Sequence, residues 1–196
     1  EGTFGSASSL DATNQLRLYS QDNFGDDLVF NPRAGSIYYW DQSSGTSTRA
    51  VDFSSLGSAS NTPTTALQIM VSDVDRHIIC FGSNPIGSAT LDPLLVRWSD
   101  QESAVDWTPS STNSAGGVKI SSGSKIVGAL RTRQEILIWT DSALHSMRFV
   151  GAPFIFSFNE LKGGVSMVSP KASVNANGMV YFMDRGGLDA LPKLEK

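Results

Sequence analysis

The chain has 196 residues, of which 40% are hydrophobic and only 17% charged, and this balance, with abundant Ser, Thr, Gly and Asn, favours turn-rich β-structure over helices. Its net charge of −4 excludes the strongly basic surface of a dedicated nucleic-acid binder. The single cysteine, Cys80, excludes an intrachain disulfide and lies in an apolar run, where it is expected to be a small buried hydrophobe.

Short apolar runs, rich in Val, Ile and aromatic residues and bounded by Gly, Asn, Asp, Pro or Ser, follow one another along the chain. Such runs predict β-strands. No stretch has convincing helical periodicity, and residues 101–107 are predicted to form at most one or two helical turns. In chain order the predicted strands are 15–19, 27–31, 36–40, 66–71, 77–82, 94–98, 126–132, 135–140, 144–150, 171–174 and 179–183.

Tight turns are predicted between four pairs of these strands, at residues 32–35, 132–134, 141–143 and 175–178. The last of these ends in Asn177-Gly178. An Asn-Gly pair is the strongest short-range signal for a β-hairpin, because both residues tolerate positive φ. The strands are therefore predicted to pair as antiparallel hairpins.

An aromatic residue followed closely by an aspartate recurs near the ends of four predicted strands. The aromatic residues are separated by 58, 41 and 43 positions, and the last two intervals match the roughly 40–50 residues of one four-stranded propeller blade. The longer first interval contains the Ser- and Thr-rich residues 42–65, which are predicted to be an insertion or an exposed loop. The pairs are Trp40 with Asp41, Trp98 with Asp100, Trp139 with Asp141, and Phe182 with Asp184.

This repeat predicts an all-β fold, a β-propeller or propeller-like array of antiparallel sheets, in a single domain over residues 1–196 with about four blade-like units. Each aromatic side chain is expected to fill the wedge between neighbouring blades, and each aspartate to bond backbone N–H groups in a turn. Four units are fewer than most closed propellers have, so the array is expected to be incomplete and the chain a fragment. The alternative is that aromatic residues favour strands and aspartates favour turns without any repeat.

Aspartates at strand ends are the main candidates for catalysis. A propeller glycoside hydrolase would need two such carboxylates at a defined separation. Because several of them recur at equivalent positions of the repeat, we expect them to cap turns, and we predict no catalytic, cofactor-binding or metal-binding residue. The aspartates concerned are Asp41, Asp73, Asp75, Asp100, Asp106, Asp141 and Asp184.

Other short motifs fail on spacing or on context. The Asp-Val-Asp segment at 73–75 lacks the further ligands and the glycine of an EF-hand loop. His77 and His145 do not have the spacing of a zinc site. Ser122 and Lys125 have a Ser-x-x-Lys spacing, but they lie in a Gly- and Ser-rich loop and not at the start of a helix.

The middle of the chain has a modest basic bias. We expect an ordinary solvated strand face there, and contact to phosphate groups is the alternative. A DNA conduit benefits from weak contact, because each phosphate that a cation neutralises adds affinity and would slow transit. The residues concerned are Lys125, Arg131, Arg133 and Arg148.

Four segments, in this order, resemble segments of structural proteins of short-tailed bacteriophages. The resemblance covers roughly residues 14–184 and points to the tail nozzle, or tail tubular, proteins and the packaged-DNA stabilisation proteins. Each motif is weak by itself, and their shared order carries the comparison. The segments are 16–41 (LRLYSQDNFGDDLVFNPRAGSIYYWD), 71–82 (VSDVDRHIICFG), 92–109 (DPLLVRWSDQESAVDWTP) and 132–151 (TRQEILIWTDSALHSMRFVG).

This resemblance implies a virion structural protein, not an enzyme, with no cofactor. Proteins of this kind contain β-propellers and form a ring at the distal tail that conducts DNA during ejection and helps to retain packaged DNA. The implied partners are other tail and portal-associated subunits, further copies in a homo-oligomeric and by resemblance hexameric ring, and DNA in transient contact. The implied location is the tail of the virion, after synthesis in the host cytoplasm.

The chain departs from the family pattern after Asp184. A further strand pair is expected there, and residues 185–196 are not predicted to supply one. A second interpretation of the whole chain is a carbohydrate-binding or receptor-binding β-propeller, similar to a lectin or a glycosidase. It predicts clustered carboxylates and exposed aromatic side chains in one pocket.

Overall fold

The computed structural model describes residues 18–72 and 75–191. Most of the strand predicted at 15–19, and Asp73, lie outside these residues. In the described part the chain forms fifteen strands and two 3-10 turns, Gln42–Ser44 and Phe53–Ser55. The strands are β1 (Tyr19–Phe24), β2 (Asp27–Pro32), β3 (Tyr38–Trp40), β4 (Val51–Asp52), β5 (Ala66–Val71), β6 (Ile78–Ser83), β7 (Leu95–Trp98), β8 (Gly116–Lys119), β9 (Ile126–Arg131), β10 (Ile136–Thr140), β11 (Ala143–Gly151), β12 (Ile155–Gly163), β13 (Ser173–Ala176), β14 (Met179–Asp184) and β15 (Gly187–Leu191).

The strands form four separate sheets, and each sheet is a run of antiparallel neighbours in sequence. The first sheet contains β1 to β4, the second β5 to β8, the third β9 to β12 and the fourth β13 to β15. Contacts between sheets centre on their first strands, β1 with β5, β5 with β9 and β9 with β13. The sheets are therefore arranged like successive blades around a shared line, and the predicted all-β, propeller-like array is confirmed.

Alternation along each strand explains how a sheet in the middle of this array is buried on both faces. Successive side chains point to opposite faces of a sheet. In the second sheet, Ile69 and Val71 pack toward the first sheet, whereas Met70 and Ile79 pack toward the third. The three clusters between sheets include Val29, Ile37, Phe53, Cys80 and Trp107 (first and second sheets), Phe81, Trp98, Ile138 and Met147 (second and third), and Leu137, Trp139, Leu144, Val180 and Phe182 (third and fourth).

Four strands were not predicted, namely β4, β8, β12 and β15, and β1 shares only Tyr19 with the strand predicted at 15–19. Strand β8 begins with two glycines and has no apolar run, whereas β12 begins with the apolar residues Ile155, Phe156 and Phe158 and was missed although it carries a strand signal. No further strand pair was predicted after Asp184, and the structure has a single strand there, β15, which pairs with β14 from Leu191 back to Gly187.

The prediction of an insertion or exposed loop at 42–65 is also wrong in part. Strand β4 pairs with β3 and completes the first sheet. Phe53 follows it, is fully buried, and contacts Trp107 with ring centroids 6.2 Å apart. Ser60 forms a bridge with Asp106, so this segment is tied to the 101–107 loop, which forms turns and no helix.

Three of the four repeated aromatic residues are buried between sheets, but the four do not share one strand position. Trp98, Trp139 and Phe182 are buried between sheets, whereas Trp40 is only half-buried. Trp40 and Trp98 lie on the third strands of their sheets, but Trp139 and Phe182 lie on second strands. The sheets begin at residues 19, 66, 126 and 173, so the repeat lengths are 47, 60 and 47 residues and the long repeat is the second.

The part of the chain that the structure describes is almost free of helix, apart from the two 3-10 turns. Within residues 18–72 and 75–191, no helix has the length and apolar character needed to cross a membrane.

Candidate functional site: the central groove

The first strands of the four sheets surround a groove of about 760 Å³, here called the central groove. A volume of this size is in the range of ligand sites, which are typically about 300–1,000 Å³. The groove draws residues from every sheet because the sheets converge on their first strands. Its lining is 18–22, Arg33, 67–70, 129–131, Pro170, Lys171 and Ser173.

Side chains from the first sheet pair with the open edge of β5. A first strand has a neighbour on one side only, so alternate backbone N–H groups on its other side need another partner. The Ile69 N–H donates to the Ser20 hydroxyl oxygen at 2.8 Å, and the Val71 N–H donates to the Asp22 carboxylate at 2.9 Å. Ser20 and Asp22 are two positions apart in β1, so both point to the same side of the strand.

Gln68 forms the corresponding link from the second sheet to the third. Its amide nitrogen donates to the Ala129 carbonyl oxygen at 2.8 Å, and its amide oxygen accepts from the Ala129 N–H at 2.9 Å. The side-chain amide thus takes the place of a neighbouring strand residue on the edge of β9. The two bonds fix the position of β9 relative to β5.

Arg131 joins three sheets at one end of the central groove. Its guanidinium lies 2.9 Å from the Asp22 carboxylate and also donates to the carbonyl oxygen of Val71. Asp22 thus accepts bonds from a backbone N–H and from a cation at the same time. This arrangement satisfies a carboxylate that is largely withdrawn from solvent.

Arg33 supplies a second cation to the groove. Its guanidinium donates to the carbonyl oxygens of Leu67 at 3.4 Å and of Ile126 at 3.2 Å. Partial burial lowers the pKa of Arg33. Lys171 lies on the opposite part of the lining and is exposed.

Sequence reasoning named Arg131 as part of a basic bias but missed the other polar residues of the groove. Ser20, Asp22 and Gln68 lie among ordinary strand residues, and their backbone partners lie 49 to 61 residues away. The signal in the sequence is a polar residue at a strand position where an apolar residue would be expected in a buried strand. That signal requires knowing which strands are innermost.

The predicted aspartates lie in turns and loops, each with its own partners. Asp41 accepts from the Ser43 N–H at 2.8 Å, and hydrogen bonds from Ser43 lower the pKa of Asp41. Asp141 accepts from the Ser124 N–H at 2.7 Å, and hydrogen bonds from Ser124 lower its pKa. These contacts hold neighbouring turns together.

Asp100 and Asp106 order the long loop between β7 and β8. Asp100 accepts from the N–H and the hydroxyl of Ser114 at 2.8 and 2.6 Å. Partial burial would raise the pKa of Asp100, but the hydrogen bonds from Ser114 outweigh it and the pKa is lowered. Asp106 accepts from the Thr108 N–H and from the Asn113 amide, at 3.1 and 3.0 Å. At the far end of β14, Asp184 accepts from the backbone N–H that follows it.

Asp75 is the exception, because it is buried and paired with His77. The Ser72 hydroxyl donates to one carboxylate oxygen, and the other lies 3.3 Å from His77 Nε2. His77 Nδ1 lies 2.7 Å from the Ser99 carbonyl oxygen, so Nδ1 carries a proton. Phe156 covers the imidazole with ring centroids 5.3 Å apart. The Ser72–Asp75 and His77–Ser99 hydrogen bonds link the start of β6 to its surroundings and to the loop after β7, whereas the facing Asp75 Oδ2 and His77 Nε2 atoms form no hydrogen bond.

The remaining basic residues lie apart from one another. Arg148 lies 2.9 Å from the buried carboxylate of Glu135. Arg133 lines a second cleft, of about 630 Å³, between the third and fourth sheets. Lys125 follows Ser124 in the turn that Asp141 binds.

Ser122, of the Ser-x-x-Lys pair, and Cys80 both make contacts that stabilise the fold. Ser122 donates its hydroxyl hydrogen to Glu160, on the neighbouring strand β12. Cys80 is completely buried, as predicted, and burial raises the pKa of its thiol. Among residues 18–72 and 75–191, no group of three or more His, Cys, Asp or Glu side chains is placed to hold a metal ion.

Comparison with protein families and with curated proteins identifies no relative of this chain. No protein-family model matches the chain. A search of curated proteins finds no significant match either.

Proposed function

We propose that this chain is a structural subunit of the tail of a short-tailed bacteriophage, a component of the nozzle that conducts DNA during ejection and helps to retain it in the capsid. The observation that carries the proposal is the placement of the four phage-like segments. Segment 16–41 contains β1 to β3, 71–82 runs from the end of β5 through most of β6, 92–109 contains β7 and part of the loop after it, and 132–151 contains β10 and β11. They follow one another through three successive sheets.

The use of polar side chains supports a structural role. Asp22 and Asp141 bond backbone N–H groups of other segments, and Asp100 and Asp106 bond N–H groups within the loop between β7 and β8. In the groove, Gln68 does the same with its amide. These contacts stabilise the relative positions of sheets and loops, as a structural protein of a virion requires.

The charge pattern supports weak contact with DNA. The net charge is −4, and Arg131 and Arg148 are paired with Asp22 and Glu135. A cation that already has a carboxylate partner gains less from binding a phosphate. DNA would therefore pass such a surface without being held. Other tail subunits, portal-associated subunits and further copies of the chain in a ring are the partners in this proposal.

Purified virions provide the test. The phage that encodes the chain would be grown, and DNA-filled particles would be separated from host protein by density centrifugation. We expect mass spectrometry to find peptides from 18–191 in these particles in several copies per capsid, and antibodies against the chain to label the tail by electron microscopy. The major capsid protein serves as the matched control for recovery.

Two results would contradict the proposal. The first is absence of the chain from infectious particles that contain every other structural protein. The second is specific binding to one glycan on an array, lost on Asp100→Asn or Asp141→Asn, which would establish the carbohydrate-binding alternative.

A further inference from the structure

Strands β11 and β12 form a long hairpin whose tip projects past the other strands of the third sheet. Strand β10 begins at Ile136, which pairs with Met147. The residues of β11 after Met147 pair with β12 alone. The third sheet has the second sheet on one side and the fourth on the other, so a further sheet at either end of the array would not lie beside this tip.

The projecting part of the hairpin has no polar side chain. Its sequence at 149–156 is FVGAPFIF, and this segment is here called the apolar tip. It is bounded by Arg148 and Ser157, which pair with each other across the hairpin. Residues 152–154, in the turn, are all exposed. Turns ordinarily use Gly, Asn, Asp and Ser, and an exposed apolar patch marks a site of interaction with a protein or a membrane.

Exposed apolar side chains occur on the flank of the apolar tip and at its end. On the flank, Phe149 lies on the side of the second sheet, with its ring centroid 6.1 Å from that of His77, and is still 41% exposed. Val150 is 52% exposed. At the end, Phe154 is 77% exposed. A flat protein surface would cover either the flank or the end, whereas a lipid layer surrounds an inserted tip on all sides.

We propose that the apolar tip inserts into the surface of a lipid bilayer. At about 3.3 Å per residue, the three steps from Arg148 to Gly151 carry the tip about 10 Å beyond the arginine. Apolar faces of proteins that bind at the bilayer surface are buried to a depth of about 5–10 Å. The apolar tip thus reaches the boundary between headgroups and acyl chains and does not cross the bilayer.

Two arginines at the base of the apolar tip suit the headgroup layer. Arg148 directly precedes the tip, and Arg133 is exposed in the neighbouring turn, where it lines a small recess together with Phe149 and Phe156. Basic residues close to a bilayer are attracted to anionic lipids. Arg148 is already 2.9 Å from the buried carboxylate of Glu135, so we expect Arg133 to supply most of this attraction.

The lipid contact goes beyond the proposed function and does not depend on it. Absence of the chain from virions would leave the binding of lipid vesicles standing. Failure to bind vesicles would leave the virion role standing.

The first measurement is flotation of the full chain with vesicles of phosphatidylcholine, alone or mixed with phosphatidylglycerol. We expect the wild-type chain to float with both, and Phe154→Ser to lower the partition coefficient at least about tenfold, because it removes a large apolar side chain from the inserted part. Leu188→Ser is the matched control, since Leu188 is 74% exposed and lies in β15, outside the tip. No flotation of the wild type, or equal flotation of Phe154→Ser, overturns the inference.

The same assay tests the contribution of charge. We expect the wild-type chain to prefer vesicles with phosphatidylglycerol, and Arg133→Gln to lose most of this preference while still binding phosphatidylcholine. Arg49→Gln is the control, because Arg49 is an exposed arginine in the loop between β3 and β4. A preference that Arg133→Gln leaves unchanged overturns the role of this arginine.

The second measurement locates the tip directly. Phe154→Cys would be labelled with a maleimide dye whose emission reports polarity, and Cys80 is buried, so the introduced thiol is the reactive one. We expect the emission to shift to shorter wavelength when vesicles are added and to be quenched by lipids spin-labelled in the upper acyl chain, whereas dye on Leu188→Cys should stay in water. A shift that follows protein concentration without lipid shows that the tip docks on another copy of the chain and overturns the inference.

Discussion

The first and last interfaces of the array both bring first strands together but differ in chemistry. Between the first and second sheets, Ser20 and Asp22 bond the backbone of β5 directly. Between the third and fourth sheets, the corresponding positions of β9 are Gly128 and Leu130, and the backbone of Pro170 approaches Gly128 so closely that a Cβ there would lie 2.8 Å from the Pro170 carbonyl oxygen. At the inner edges, one interface uses polar side chains and the other requires the absence of a side chain, although both interfaces also bury an apolar cluster.

This difference shows two ways to fix neighbouring sheets at their inner edges. Hydrogen bonds from side chains satisfy open backbone groups and set the register, but each bond contributes only about 0.5–1.5 kcal/mol net. Close apolar packing contributes more in total, because burial of large side chains adds about 1.5–3 kcal/mol for each one. We therefore expect the third–fourth interface to depend more on individual apolar residues.

The largest effect is expected for Trp139→Ala at the third–fourth interface. Trp139 is fully buried and contacts Phe182 with ring centroids 5.4 Å apart. Removing it leaves a large cavity, and we expect the free energy of unfolding to fall by about 3–5 kcal/mol, as measured by urea denaturation.

The matched control is Trp139→Phe, which keeps an aromatic ring. Within the described residues the buried indole N–H of Trp139 has no hydrogen-bond partner, so phenylalanine removes an unsatisfied donor as well as some volume. We expect it to retain most of the stability. An equal loss for both variants would show that the position tolerates only tryptophan and would contradict the packing argument.

Asp22→Ala at the first–second interface is expected to have the next largest effect. The substitution leaves the Val71 N–H and the Arg131 guanidinium without this partner, and we expect a loss of about 2 kcal/mol in the free energy of unfolding. Asn23→Ala is the control, because Asn23 is exposed and points to the other side of β1. A loss as large as that of Trp139→Ala would break the proposed contrast between the interfaces.

The strands were predictable from sequence because their buried alternation is local. Residues 66–71 were predicted to the residue, since β5 is a run of apolar and β-branched side chains that only Gln68 interrupts. The two-strand turn at Asn177-Gly178 was predicted because its chemistry is contained in two residues.

The central groove was not predictable in the same way. Gln68 and Ala129 are 61 positions apart, and their contact depends on two different sheets placing their first strands side by side. Asp75 and His77 are close in sequence, but their burial depends on Phe156 from the third sheet. Local patterns predict strands and turns, whereas these contacts follow from the order of the sheets around the groove.

Gly128→Ala tests the apolar interface at its inner edge. The new Cβ would lie 2.7 Å from the Met167 methyl group, which can move, and 2.8 Å from the Pro170 carbonyl oxygen, which is held by the backbone. We expect a loss of about 1–2 kcal/mol from overpacking. Gly57→Ala is the control, because a Cβ at Gly57 meets no atom within 4 Å. Equal stability of the two variants would show that the fourth sheet is free to shift away from the third.

The smallest effect is expected for Asp141→Asn, which tests a polar contact at the third sheet but outside the groove. Hydrogen bonds from Ser124 lower the pKa of Asp141 in the folded chain. A lowered pKa means that the stabilisation is present above the pKa of the unfolded chain, about 3.9, and is lost as the pH falls through the folded pKa. The unfolding free energies of wild type and Asp141→Asn should therefore differ at neutral pH and converge in acid. Ser124→Ala keeps the carboxylate and the backbone N–H donors of residues 124 and 125, so its unfolding free energy should lie between those of wild type and Asp141→Asn. A difference in unfolding free energy that is the same at all pH values would show that Asp141 stabilises the fold through its shape and not through its charge.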